Sequence, residues 1–104
     1  MSETRFPDLS QCLGAYLHQD WMYDYGSADE AIDRFLEAAL LEESVAVLAD
    51  LEKILKQDFS EAEWDALMWE FGCYYDPIAA GYTIPAWLEK IRIRFKNHID
   101  RHRS

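Results

Sequence analysis

The chain has 104 residues, half of them hydrophobic and 14% aromatic, and its ten Lys and Arg against twenty Asp and Glu give a formal charge of −10. That length predicts one domain over residues 1–104 and excludes a TIM barrel or a two-half dinucleotide fold, which need roughly 200 residues or more. The apolar content predicts a packed core, and the charge argues against nucleic acid or an anionic membrane as partner, because both repel a polyanion.

Taken in chain order, the first predicted helix covers residues 8–18, with Pro7 suited to the first turn and Leu9, Leu13, Tyr16 and Leu17 at helical spacing. Residues 18–27 break that period, are dense in aromatics and end in Gly26-Ser27. Ser27-Ala28-Asp29-Glu30 reads as a capping box opening a helix over 28–40, with Ala31, Ile32, Phe35 and Leu36 inward. A third helix is predicted over 44–57, with a core stripe of Val45, Leu48, Leu51 and Leu55 joined by Val47 and Ile54. Ser60-Glu61-Ala62-Glu63 is a second capping box, for a helix over 61–71 that presents Trp64, Leu67, Met68 and Phe71 and stops at Gly72. Residues 73–83 are irregular, with a turn at Asp76-Pro77. Thr83 caps a last helix over 84–100, whose apolar face is Ile84, Trp87, Leu88, Ile91 and Phe95. No segment alternates with period two, so the predicted fold is all-α, a compact single-domain bundle of about five helices.

The opening MSETRFPDLS has no apolar core or basic leader, and no apolar run approaches the roughly 18 residues of a membrane span, which points to the cytoplasm. Cys12 and Cys73 lack CxxC spacing and read as buried, unbridged small hydrophobes. Charge is uneven: residues 1–80 hold four basic and eighteen acidic side chains, residues 81–104 six and two. The basic residues Lys90, Arg92, Arg94, Lys96, Arg101 and Arg103 lie along the last helix, where cations suit the dipole and neutralise acidic neighbours.

Residues for chemistry are sparse. His18, Asp20 and Asp24 match no familiar ligand spacing, and His18 with Asp20 reads as holding the loop through backbone hydrogen bonds. The serines begin or precede helices, neither cysteine has an evident base, and no phosphate-cradling loop exists. No enzyme activity, metal or cofactor is expected. Two aromatic–acidic clusters remain, Trp21–Tyr25 and Tyr74–Asp76. They either plug the ends of the bundle or form an interface whose carboxylates steer a basic partner.

The same residues carry a resemblance. FPDLSQCLGAYLHQDWMYDYGSADEAIDRFL (Phe6–Leu36), then GCYYDP (Gly72–Pro77) and PAWLEKIR (Pro85–Arg92), resemble one family of contact-dependent growth inhibition immunity proteins. The resemblance covers nearly the whole chain except Glu37–Ser60, and the ordered set GAYLHQDW, YGS and GCYYDP is its specific part. It implies a small cytoplasmic protein that binds one-to-one and neutralises the toxin domain at the C-terminus of a large effector, expected to be a nuclease. A nuclease attracts a polyanion, so its cleft is basic, and a chain of charge −10 suits covering it. Motifs that mark a family whose members block different toxins are expected to maintain the fold, here Gly14, Trp21, Gly26, Gly72, Cys73 and Pro77. The toxin-binding surface is expected at Asp20, Tyr23, Asp24, Asp29, Glu30, Asp33, Tyr75 and Asp76, although Asp29 and Glu30 also suit the helix dipole. The competing readings are a small acidic helical adaptor of another basic protein, and a metal-dependent hydrolase using Asp20, Asp24 and Asp29.

Overall fold

A computed structural model describes residues 6–103, and every regular element among them is helical. In chain order the helices are α1 (Pro7–Tyr16), α2 (Trp21–Asp24), α3 (Ala28–Ala38), α4 (Leu41–Ile54), α5 (Glu61–Glu70) and α6 (Ile84–Arg103). The Cα radius of gyration is 13.1 Å, the value of about 13 Å expected for a compact chain of this length.

Local chemistry sets most helix ends. At α5 the full capping box forms: Ser60 Oγ accepts the Glu63 N–H at 3.2 Å, and Glu63 Oε1 accepts the Ser60 N–H at 3.0 Å. Thr83 Oγ1 accepts the Ala86 N–H at 3.2 Å and so caps α6. α5 ends in a Schellman motif, with the Cys73 N–H on the Met68 carbonyl, the Gly72 N–H on the Trp69 carbonyl, and Gly72 at φ 73°. The box expected at α3 forms by half. Ser27 Oγ accepts the Glu30 N–H, but the Glu30 carboxylate passes Ser27 and takes the Gly26 N–H at 2.7 Å. A Cβ on Gly26 would lie 2.7 Å from that carboxylate oxygen, so the glycine leaves it room.

α1 has no local side-chain cap. Its cap comes from 42 residues downstream: Asp50 of α4, only 4% exposed, accepts the Asp8 N–H at 2.9 Å and the Leu9 N–H at 3.0 Å through one carboxylate oxygen. A carboxylate against a helix N-terminus is favourable both as an acceptor and against the dipole.

α4 packs most extensively against α6 and α1, and α3 and α5 lean on that central layer. The core gathers Leu9, Leu13 and Leu17, Ile32 and Phe35, Val47, Leu51 and Ile54, Trp64 and Leu67, and the predicted α6 face from Ile84 to Phe95. Residues 18–27, where the sequence breaks the helical period between two predicted helices, contain the short helix α2. Two sequence expectations are corrected. α4 spans Leu41–Ile54 rather than 44–57, because the Glu43 and Ser44 N–H groups already bond the Leu40 carbonyl and the turn after Ile54 closes the helix. Its buried arc is Ser44, Val47, Asp50, Leu51 and Ile54, while Leu48 and Leu55 are only partly buried and Val45 is half-buried. The arc is rotated because α4 is sandwiched by α6 and α1, and the α1 side demands the Asp50 carboxylate.

Candidate functional site

α1 and the end of α5 meet at a place where no side chain fits. A Cβ on Gly14 would lie 2.7 Å from the Phe71 carbonyl oxygen, and the Gly72 Cα faces Gly14. This close approach brings the chain after α5 alongside the chain after α1, and the Tyr74 N–H bonds the Leu17 carbonyl at 2.7 Å. The two aromatic–acidic clusters of the sequence therefore meet at one end of the molecule. Trp21 packs edge-on against Tyr75 with ring centroids 5.7 Å apart, and Tyr75 packs against the buried Trp87 at 4.9 Å. Burial is the main cause that pushes the Tyr75 phenol up from its usual value.

His18 orders the start of this end. Its Nδ1 accepts the Asp20 N–H at 3.0 Å, and its Nε2 lies 3.3 Å from Asp24 Oδ2. This is the loop-holding role expected for His18; the Asp20 backbone, not its carboxylate, takes part. The result exposes Asp20, Met22, Tyr23 and Asp24, with Tyr23 87% exposed. Across the contact, Asp76 Oδ1 accepts the Ile78 and Ala79 N–H groups and fixes the turn at Pro77, and its carboxylate stays at the surface.

The remaining expected residues belong to a different arrangement. Asp29 and Asp33, one turn apart on α3, face Lys90 and Arg94, one turn apart on α6. Lys90 Nζ lies 3.2 Å from Asp29 Oδ2 and 3.1 Å from the Tyr82 hydroxyl, and Arg94 Nη2 bonds Asp33 Oδ1. Hydrogen bonds to Tyr82 and Asp29 raise the Lys90 pKa. Arg92 pairs in a two-pronged contact with Glu89, and Lys96 with Asp100. So four basic side chains of α6 are matched within the chain, and Glu30 is occupied at Gly26. The structure groups Asp20, Tyr23, Asp24, Tyr75 and Asp76 at one end and sets Asp29 and Asp33 into a ladder between helices. Asp29 is thus paired with a cation rather than pooled with Asp20 and Asp24. Among the described residues no group of three His, Cys, Asp or Glu side chains is placed to hold a metal ion. No helix there is long and apolar enough to cross a membrane.

Of the residues expected to maintain the fold, Gly14, Gly72 and Trp21 serve the close contacts named above, and Gly26 donates its N–H to Glu30. A model described as CdiI immunity protein matches residues 5–95. The chain belongs to the CdiI immunity protein family. No curated protein matches it. This CdiI-family chain is also similar to one in the crystal structure of a CdiA-CT/CdiI complex from Y. kristensenii 33638, at 25% identity and a TM-score of 0.81 over 88% of this chain and 99% of that one.

Surface features outside the expected residues stand out on this CdiI-family fold. Trp69 is 70% exposed and packs edge-on with Tyr74 at 5.7 Å, and Ile78 is exposed beside them. The sequence carried one signal of this: Trp69 falls outside the Trp64, Leu67, Met68 and Phe71 stripe of its helix.

Proposed function

We propose that the chain is a toxin-neutralising immunity protein, and that it binds one-to-one the C-terminal toxin domain of its cognate CdiA effector in the cytoplasm. Membership of the CdiI family over residues 5–95 is the observation that carries this reading. The solved relative, described as part of a CdiA-CT/CdiI complex, supports a toxin domain as partner. The charge of −10 supports a basic target, and a nuclease, which must attract a polyanion, is the toxin class it fits. Inhibition then consists of covering the basic cleft with carboxylates that exclude substrate. It requires no catalysis and no cofactor from this chain.

The contact residues follow the sequence expectation, sorted by geometry. Asp20, Tyr23, Asp24 and Asp76 offer exposed groups at the α2 end, with Tyr75 beneath them as support. Asp29 and Asp33 contribute field rather than direct pairing, because each already faces a permanent cation on α6, and Glu30 is held by the Gly26 N–H; Asp24 has only the His18 imidazole beside it, and Asp76 only backbone N–H groups on one oxygen. Exposed acids act chiefly on the association rate, which can reach about 10⁸ M⁻¹s⁻¹ at low salt and falls as salt rises.

The test is co-expression with the toxin domain encoded directly upstream, followed by co-purification and a protection assay in cells. Charge reversal of Asp20 and Asp24 together slows association and flattens its salt dependence, and far-UV circular dichroism verifies the fold. Reversal at Asp29 or Asp33 is less informative, since it sets like charge against Lys90 or Arg94. Failure of the unaltered pair to associate overturns the function. Unchanged association of the Asp20 and Asp24 variant overturns only the role of those acids.

A further inference from the structure

α5 carries apolar side chains on both faces. Trp64, Leu67 and Met68 point to the core, while Ala62, Ala66 and Trp69 lie on the exposed face. Burying the inward set explains the helix, but it does not explain an indole left 70% exposed. Trp69 stands at the wall of a groove of about 380 Å³, whose lining includes Asp65, Tyr74, Asp76 and Ile78. A second groove of about 310 Å³ shares Asp65, Ile78 and Ile84 with it, and its lining also includes Trp64, Tyr82 and Pro85. The two form one aromatic and aliphatic trough between α5 and the 73–83 segment.

Charge decides what this trough suits. From residue 57 to residue 89 the sequence contains Asp58, Glu61, Glu63, Asp65, Glu70, Asp76 and Glu89, and no Lys, Arg or His; the cation that follows, Lys90, sits over the Tyr82 ring at the wall of the second groove, so the unmatched acidic side is that of the first. Unlike the α3 acids, Glu61, Asp65 and Glu70 have no ion-pair partner among the described residues. Asp65 and Trp69 are one turn apart on the same face of α5, so a carboxylate sits beside the indole. A guanidinium or ammonium entering the first groove meets a lining that includes the Trp69 and Tyr74 rings and the acidic residues Asp65 and Asp76. Trp, Tyr and Arg are the residue types that dominate interface energetics.

We propose that the trough between α5 and the 73–83 segment, anchored by Trp69, receives an arginine- or lysine-bearing segment of the toxin domain. The proposal rests on the toxin-binding reading above and extends it. It moves the energetic centre of the interface from the α2 acids to α5, and leaves the α2 end as a steering rim.

The probe is the purified toxin domain encoded directly upstream, titrated against the full chain by calorimetry and by biolayer interferometry at several salt concentrations. Trp69→Ala is expected to weaken Kd by about tenfold or more. Asp65→Asn with Asp76→Asn removes two charges, while the amide introduced at the second site keeps an oxygen for the turn at Pro77. This double variant is expected to lower the association rate and flatten its salt dependence. Leu40→Ala, an exposed apolar site next to Leu41 near the far end of α6, serves as control and stays within about twofold. Hydroxyl-radical footprinting of the unaltered complex reads the same surface without a mutation, and Trp69 and Tyr74 lose reactivity on binding. If Trp69 stays as reactive in the complex as in the free protein, the proposal is overturned. The same holds if Trp69→Ala binds within about twofold of the parent, and the immunity function then stands. If the parent chain itself does not bind the toxin domain, both are overturned.

Discussion

Replacing Asp50 with alanine removes the cap of a helix that lies 42 residues away in the chain. The carboxylate is 4% exposed and its Oδ2 holds the Asp8 and Leu9 N–H groups at 2.9 and 3.0 Å. Loss of an N-cap costs about 0.5–2 kcal/mol. The Leu9 bond is buried, so its amide is left without a partner, which costs about 1–3 kcal/mol more. The total of about 1.5–5 kcal/mol is a large share of a domain stability of about 5–15 kcal/mol. Asp50→Asn keeps an acceptor oxygen and loses the charge against the α1 dipole, so it costs about 0.5–2 kcal/mol. Urea unfolding followed by tryptophan fluorescence and far-UV circular dichroism measures both. At a mid-range slope of about 2 kcal/mol per molar, the alanine variant shifts the midpoint down by about 0.8–2.5 M, and the asparagine variant shifts it less. Equal shifts for the two would refute the reasoning, because the acceptor would then not matter. A shift below about 0.3 M for alanine at unchanged slope would show that α1 does not depend on this cap.

Gly14→Ala is expected to destabilise by about 1–3 kcal/mol in the same urea assay, despite the roughly 1 kcal/mol gain in helix propensity, because its Cβ meets the Phe71 carbonyl at 2.7 Å; a stabilised variant contradicts this. Burial pushes the Cys73 thiol up from 9.0 to about 12 and the Cys12 thiol higher still. Above pH 9 the unfolded chain then releases thiol protons that the folded chain keeps, and stability falls by about 1.4 kcal/mol per pH unit for each thiol. Urea midpoints between pH 9 and pH 11 check this: Cys73→Ala shows a shallower fall than the parent, and parallel curves refute it. Ser60→Ala costs about 0.5–2 kcal/mol in the urea assay, since the Glu63 N–H loses its side-chain acceptor while the backbone N–H of residue 60 still bonds the Glu63 carboxylate, and no change would mean the serine cap is incidental. Lys90→Met costs about 1 kcal/mol, and less at high salt, because its pair with Asp29 is still partly open to solvent; a double-mutant cycle with Asp29→Asn measures it.

The resemblance to immunity proteins rested on segments from both halves of the chain, and the structure shows why those segments travel together. Gly14 and Gly72 are apposed, Leu17 bonds Tyr74, and Trp21 meets Tyr75. Each motif supplies one side of the same contact. The contact residues for a toxin were less legible, since the sequence marks an acid without marking whether the fold has already matched it. Asp29 and Asp33 read like Asp20 and Asp24 in the sequence, yet they face Lys90 and Arg94.

Helical class, the caps at Ser60 and Thr83, the stop at Gly72 and the α6 core face were readable from residues alone, because each depends on chemistry within a few positions of the chain. The rotation of α4 was not. Its apolar residues cover more than one arc, and only the packing of α6 on one side and α1 on the other selects Val47 and Ile54 over Val45 and Leu48. Asp50 as the cap of α1 was equally hidden, since a carboxylate in mid-helix looks solvated until a distant helix N-terminus is brought to it. The exposure of Trp69 is divided between the two. The helical stripe of Trp64, Leu67, Met68 and Phe71 already leaves Trp69 out, but only the tertiary structure, by bringing Tyr74 and Ile78 beside that indole, decides which surface it joins.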